Sequence, residues 1–230
     1  SSFHAMKSLH KIDLKGHFAG FGDPKLSQIN KKITSTEKLD VNKIFLRGGI
    51  ADVNKIRQFA ELPKTSDELK TISKYFNRTD IYLKNDFNEE NIKSLNLEKY
   101  SVLSFATHGI VANELNGVNE PGLITTPPTV GTINNDGVLS SSEIKNLKLN
   151  AELVILSACN TAAGDGSSSA ESLSGLTSSF FYAGARSLLV SHWYVEDEST
   201  VNLMKSTFSN LKNDLTLSQS LRLSKINMLN

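Results

Sequence analysis

Cysteine is nearly absent from this chain, with one residue, Cys159, in 230. A single thiol excludes an internal disulfide and a multi-cysteine zinc site, and an unpaired thiol persists best in a reducing compartment. An excess of either charge is also missing. Lysine and arginine number 25 against 24 aspartates and glutamates, so there is no electrostatic footprint for nucleic acid or an anionic membrane. No apolar run approaches the roughly 18 residues that span a bilayer, and the first residues, SSFHAMKSLHK, lack the apolar segment of a signal peptide. These absences predict a cytoplasmic protein that engages neither nucleic acid nor membrane directly.

Phosphate-binding strings are missing as well. No GxGxxG or GxxxxGKS/T pattern follows a strand, and the GDG at Gly164 to Gly166 reads as flexible loop rather than phosphate cradle. Glu143, Glu152, Glu171, Asp197 and Glu198 fall at no metal-ligand spacing with histidine, and helix-face or N-cap roles account for them. The sequence therefore predicts no metal and no other cofactor.

What is present is a chain 39% hydrophobic, long enough to bury one substantial α/β core. Residues 16–22 read as a first strand ending in the turn Gly22-Asp23-Pro24. Residues 39–60 show a mixed pattern that predicts no element. Leu69, Ile72 and Phe76 recur at helical spacing after Ser66, a candidate N-cap, and residues 81–83 form a short strand candidate. Residues 88–95 fit a helix capped by Asn88, with Glu89 and Glu90 near its positive end. Residues 111–136 carry three of the five prolines and predict a long surface excursion. Further helices are predicted over 140–147, 170–183, 196–211 and 215–228. Strands alternating with helices imply right-handed βαβ units and a mostly parallel sheet covered on both faces.

Residues 100–106 and 153–157 are continuous apolar runs too short for helices, as expected of buried parallel strands. They end at His108-Gly109 and at Cys159, and a third run, 186–191, ends at His192-Trp193. Ligand crevices in such sheets lie beyond the carboxyl ends of the strands, so one edge gathers all three reactive residues. A cysteine nucleophile needs a base to ionise it, and His108 is the nearest logical partner. Cys159 lies 51 residues after His108, matching the roughly 50-residue offset between the histidine and cysteine of caspases. A cysteine protease is the first hypothesis.

Plainer readings stand beside it. Cys159 fits a buried small apolar residue and His108 a structural histidine. Polar Ser157, Asn160 and Thr161 and the Gly-Ser-rich 164–169 favour an exposed thiol. Gly109 permits close backbone approach, making the N–H groups of Gly109 and Cys159 candidates for an oxyanion hole. His192 is a competing base, although His192 and Trp193 fit packing or a substrate pocket better. Asp197 or Glu198 would favour a basic substrate side chain, with helix capping the plainer role. Pocket walls are expected from 111–136, 164–170 and 193–198. His4, His10 and His17 precede the sheet core and are expected to be exposed.

The strings GFGDP at Gly20 to Pro24, LPKTSDEL at Leu62 to Leu69, SFATHG at Ser104 to Gly109, NEPGLITTPP at Asn119 to Pro128, DGVLSSSEI at Asp136 to Ile144, LVILSACNTAAGDG at Leu153 to Gly166 and LSGLTSSFFYAGARSLLVSHW at Leu173 to Trp193 together resemble the CHAT domain. That module follows tetratricopeptide repeats in bacterial proteins and is related in fold to caspases, separase and gingipains. The resemblance implies an α/β caspase-like three-layer sandwich with a mostly parallel sheet. It implies a cysteine endopeptidase with His108 as general base and Cys159 as nucleophile. It also implies a protein or peptide substrate and activity controlled by a partner or by upstream repeats. Residues 1–15 would be the linker helix from those repeats and 16–230 the domain itself, lacking the family's final aromatic- and proline-bearing strand. Two readings compete: a catalytically silent scaffold of the same fold that binds an extended peptide or partner, and a Rossmann-like nucleotide binder. The missing Gly-rich first βα turn counts against the latter.

Overall fold

A computed structural model describes residues 12–27, 49–158, 169–191, 197–213 and 215–229. The expected strands assemble into one five-stranded sheet: β1 (His17–Gly22), β2 (Arg78–Leu83), β3 (Val102–Ala106), β7 (Leu153–Ser157) and β8 (Leu188–Val190). Their spatial order is β2-β1-β3-β7-β8 and every pair is parallel. All carboxyl ends therefore meet at one edge.

Alternation along the strands explains the layers. Phe18, Val102, Leu153 and Ile155 point to one face, and Ala19, Phe21, Leu103, Phe105, Val154 and Leu156 to the other. Both sets are buried, which is why the strands read as unbroken apolar runs. The first face is covered by α2 (Pro63–Ser73), α6 (Asp197–Leu211) and α7 (Leu217–Leu229), through Leu69, Ile72, Met204, Phe208 and Leu217. The second carries α3 (Glu89–Ser94), α4 (Ser141–Lys145) and α5 (Ser169–Ala183), through Ile92, Ile144, Leu176 and Phe180. Phe21 stacks between Tyr82 and Phe105 at centroid distances of 5.0 and 4.9 Å. Each such fully buried side chain contributes about 1.5–3 kcal/mol of transfer free energy. The caspase-like α/β sandwich expected from the sequence is the fold observed.

The helix expected after Ser66 begins earlier. Pro63 occupies its first turn, Leu62 is the N-cap without a side-chain bond, and Ser66 is buried inside the helix. Asn88 does cap its helix, accepting from the Asn91 N–H at 2.9 Å; the helix expected from residue 140 starts one residue later, with Ser140 as its N-cap in a capping box with Glu143. A four-residue helix, α1 (Val53–Ile56), capped by Asp52, occupies the stretch for which no element is predicted.

The 111–136 excursion is not wholly a surface loop. It contains β5 (Gly122–Ile124), which pairs antiparallel with β4 (Gly109–Ile110) and β6 (Val138–Ser140) in a separate three-stranded sheet. Leu123 and Ile124 are fully buried, and Ile124 belongs to a third apolar cluster with Ile56, Ile110 and Leu115. His17 is not exposed either. It faces Asp80 at 3.2 Å and Tyr100 at 4.7 Å between ring centroids. Of the expected linker helix, residues 12–15 form a turn closed by the Gly16 N–H donating to the Asp13 carbonyl. The remainder of that linker and the Gly-Ser stretch 164–168 lie outside the described residues, as do His4 and His10.

Candidate active site at the strand ends

β3 and β7 run in register to Ala106 opposite Ser157, and the Thr107 N–H then donates to the Ser157 carbonyl at 3.2 Å. Thr107 also sends its hydroxyl to the Ile124 carbonyl at 2.6 Å, while the Ile124 N–H donates to the His108 carbonyl at 2.9 Å. His108 is thus gripped on both sides by backbone bonds. Its side chain is 6% exposed and packs on Phe59 at 5.2 Å between centroids.

The imidazole Nε2 lies 2.8 Å from the Ala60 carbonyl oxygen. A carbonyl only accepts, so Nε2 carries the proton and Nδ1 presents the lone pair. Burial pushes the pKa of His108 below its ordinary value, against the opposing pull of the Ala60 carbonyl and the Glu114 charge. Glu114 is itself held by the Val111 N–H at 2.8 Å. The result is a neutral, oriented base at neutral pH. The carbonyl of Ala60 does the orienting, a role invisible in the sequence because it belongs to no side chain.

Gly109 follows immediately. Because the Ile124 N–H bonds to His108, the Gly109–Leu123 pair is a non-hydrogen-bonded one, and the ladder turns the Gly109 N–H away from β5. A Cβ built on Gly109 would sit 3.3 Å from the Ala158 carbonyl oxygen. The close approach at Gly109 is therefore to the chain leaving β7, and Ala158 is the residue bonded to Cys159.

One segment, 57–68, braces this edge. Arg57 donates to the carbonyls of Pro127 and Pro128 at 3.1 and 2.9 Å, and Glu61 accepts from the N–H groups of Leu26 and Ser27 at 3.0 and 2.7 Å. The Thr65 hydroxyl accepts from the Asp23 N–H at 2.9 Å, at the end of β1. Glu68, 4% exposed, accepts from the Ser157 hydroxyl at 2.6 Å, at the end of β7. Asp23 and Lys84, both in left-handed backbone conformations, join β1 to β2 through a 2.6 Å ion pair that raises the pKa of Lys84.

Of the residues singled out in the sequence, His108 and Gly109 stand together beside Ala158. Cys159, His192 and Trp193 lie outside the described residues; Asp197 opens α6, and its side chain is likewise outside them. The expected walls at 164–168 and 193–196 also fall outside. Glu68 is the site residue that sequence reasoning missed. Its position in LPKTSDEL carries no mark separating it from a solvated helical acid.

Among the described residues no group of three or more histidines, cysteines, aspartates and glutamates is placed to hold a metal, and no helix is long and apolar enough to cross a membrane. A cavity of about 650 Å³ lined by Ile92, Lys93, Asn134, Glu143 and Lys148 opens beside α3 and α4, with no strand-end residue in its wall. The family model described as CHAT domain matches residues 6–230. No curated protein matches the chain.

Proposed function

The chain belongs to the CHAT domain family, a caspase-like peptidase family, and from that premise we propose that it is a cysteine endopeptidase acting through His108 and Cys159. The observation that carries the proposal is the neutral imidazole of His108, fixed through Nε2 on the Ala60 carbonyl at the strand end adjoining the one that leads into the only cysteine.

In this reading His108 Nδ1 takes the thiol proton and the Cys159 sulfur attacks a peptide carbonyl. The N–H groups of Gly109 and Cys159 receive the developing oxyanion. The same imidazole returns the proton to the leaving amine, whose C–N bond breaks, and water hydrolyses the thioester with His108 again accepting a proton. No carboxylate is needed as a third member, since a backbone carbonyl supplies the orientation. His192, Trp193 and Asp197 line the substrate pocket, and a partner or upstream tetratricopeptide repeats control access to it.

The test is cleavage of a protein-library substrate by the chain together with its activating partner. Cys159→Ala is expected to abolish cutting while leaving the melting temperature unchanged. Cutting at the original rate by Cys159→Ala would overturn the proposal. Absence of cutting by the unsubstituted chain, with Cys159 alkylating like a free thiol, would favour a peptide-binding scaffold instead.

A further inference from the structure

We propose that Glu68 is a positioning residue for the nucleophile, acting through Ser157; the inference rests on the Cys159–His108 reading. Glu68 is buried in the second turn of α2, 89 residues from Ser157 in sequence, and receives the Ser157 hydroxyl at 2.6 Å. Ser157 is the last residue of β7, on the face that carries Leu153 and Ile155 and looks onto α2. Strand pairing guides β7 as far as Ser157, whose partner is Ala106. Beyond it, the Glu68 contact on one side and the close approach of the Ala158 carbonyl to Gly109 on the other set the direction in which the chain departs.

The same stretch of chain that orients the base through Ala60 thus also orients the nucleophile's strand through Glu68. Attack geometry is sensitive to displacements of about 1 Å, which cost roughly 100-fold in rate, so a side chain that touches no substrate has large leverage here. Glu68 works as a hydrogen-bond acceptor for Ser157. A glutamine, which keeps an acceptor oxygen at the same reach, preserves the effect, and an aspartate, one methylene shorter, does not.

The single cysteine makes the test direct, because iodoacetamide alkylation of the 230-residue chain reads one thiol and needs no substrate. The rate is followed against pH in the unsubstituted chain and in Glu68→Ala, Glu68→Gln, Ser157→Ala and His108→Ala, with melting temperature measured alongside. Glu68→Ala and Ser157→Ala are expected to slow alkylation at pH 7 about tenfold and to move the inflection up toward about 8.5, the value of a free thiol. Glu68→Gln is expected to recover to within about threefold of the unsubstituted chain.

A merely structural role would lower the melting temperature without moving the inflection, and that result overturns the proposal. Should Glu68→Ala fail to fold, Ser157→Ala decides by the same criterion. His108→Ala separates the two ideas: if it leaves the inflection in place, the dyad fails. If it moves the inflection while Glu68→Ala and Ser157→Ala do not, the dyad stands and the role of Glu68 falls.

Discussion

Glu89 and Glu68 are both sealed carboxyl groups on helices, 1% and 4% exposed, and they are held in different ways. Glu89 accepts from the backbone N–H groups of Asp136 and Gly137, each at 2.7 Å, and from Lys93 at 2.6 Å. Lys93 also reaches Glu143 at 2.5 Å, and Asp136 accepts from the Ala51 and Val138 N–H groups at 2.8 and 3.0 Å. Backbone donors cannot turn, so this corner locks the bend into β6. Burial raises the pKa of Glu89, as does Asp136, and Lys93 opposes both. Glu68 receives, from a strand 89 residues away, a serine hydroxyl, a donor free to rotate about its C–O bond. The first corner fixes shape; the second relays position to a strand end.

The largest expected effect belongs to the strand-end corner. His108→Ala should lower peptide cleavage by roughly 1,000-fold or more, because members of one catalytic unit each cost almost the whole, while the emptied buried position lowers stability by only about 2 kcal/mol. Steady-state cleavage paired with calorimetry checks it.

At the Glu89 corner the outcome should be reversed. Lys93→Met leaves a buried carboxylate without its cation and should destabilise the fold by about 3–5 kcal/mol, read from urea unfolding. Cys159 alkylation under native conditions should not change. A stability loss below about 1 kcal/mol would show that the corner is not ionic in the sense argued.

Gly109→Ala probes the seam between β4 and the exit of β7. Its Cβ would meet the Ala158 carbonyl oxygen at 3.3 Å, so a cost of about 1 kcal/mol in stability and roughly tenfold in cleavage is expected. Equal cleavage by the alanine variant would mean that Ala158 yields freely.

The smallest effect is pH-dependent. His108 has a native pKa below its unfolded value near 6.5, so the unfolded chain binds the extra proton first. Its contribution to stability is complete above about pH 6.5 and is lost as pH falls from there to the lower native value. His108→Gln should flatten that segment of the stability–pH curve, and a curve of unchanged slope would place the acid sensitivity elsewhere.

The main sheet was legible in the sequence because parallel strands buried on both faces must be continuously apolar, as at Leu153 to Ser157. Asn88 was legible as a cap because the bond a cap makes lies within three residues. The start of α2 was not, since Pro63 begins it without any capping side chain and Ser66 only resembles one. β5 is three residues long, too short for a period to show, and it exists because β4 and β6 pair with it. His108 and Gly109 announced themselves by chemistry and position. Ala60 and Glu68 could not, because a carbonyl is common to every residue and a partner 89 residues away leaves no local trace.

The order of the strands also governs how the chain emerges during synthesis. β1 is made first, yet its neighbours β2 and β3 follow only after a long interval, and the apolar face formed by Phe18, Val102, Leu153 and Ile155 awaits Met204, Phe208 and Leu217. At roughly 5–20 residues per second, a sheet with that face covered only by α2 persists on the ribosome for several seconds. Chaperone demand should therefore peak between completion of β8 and arrival of α6 and α7.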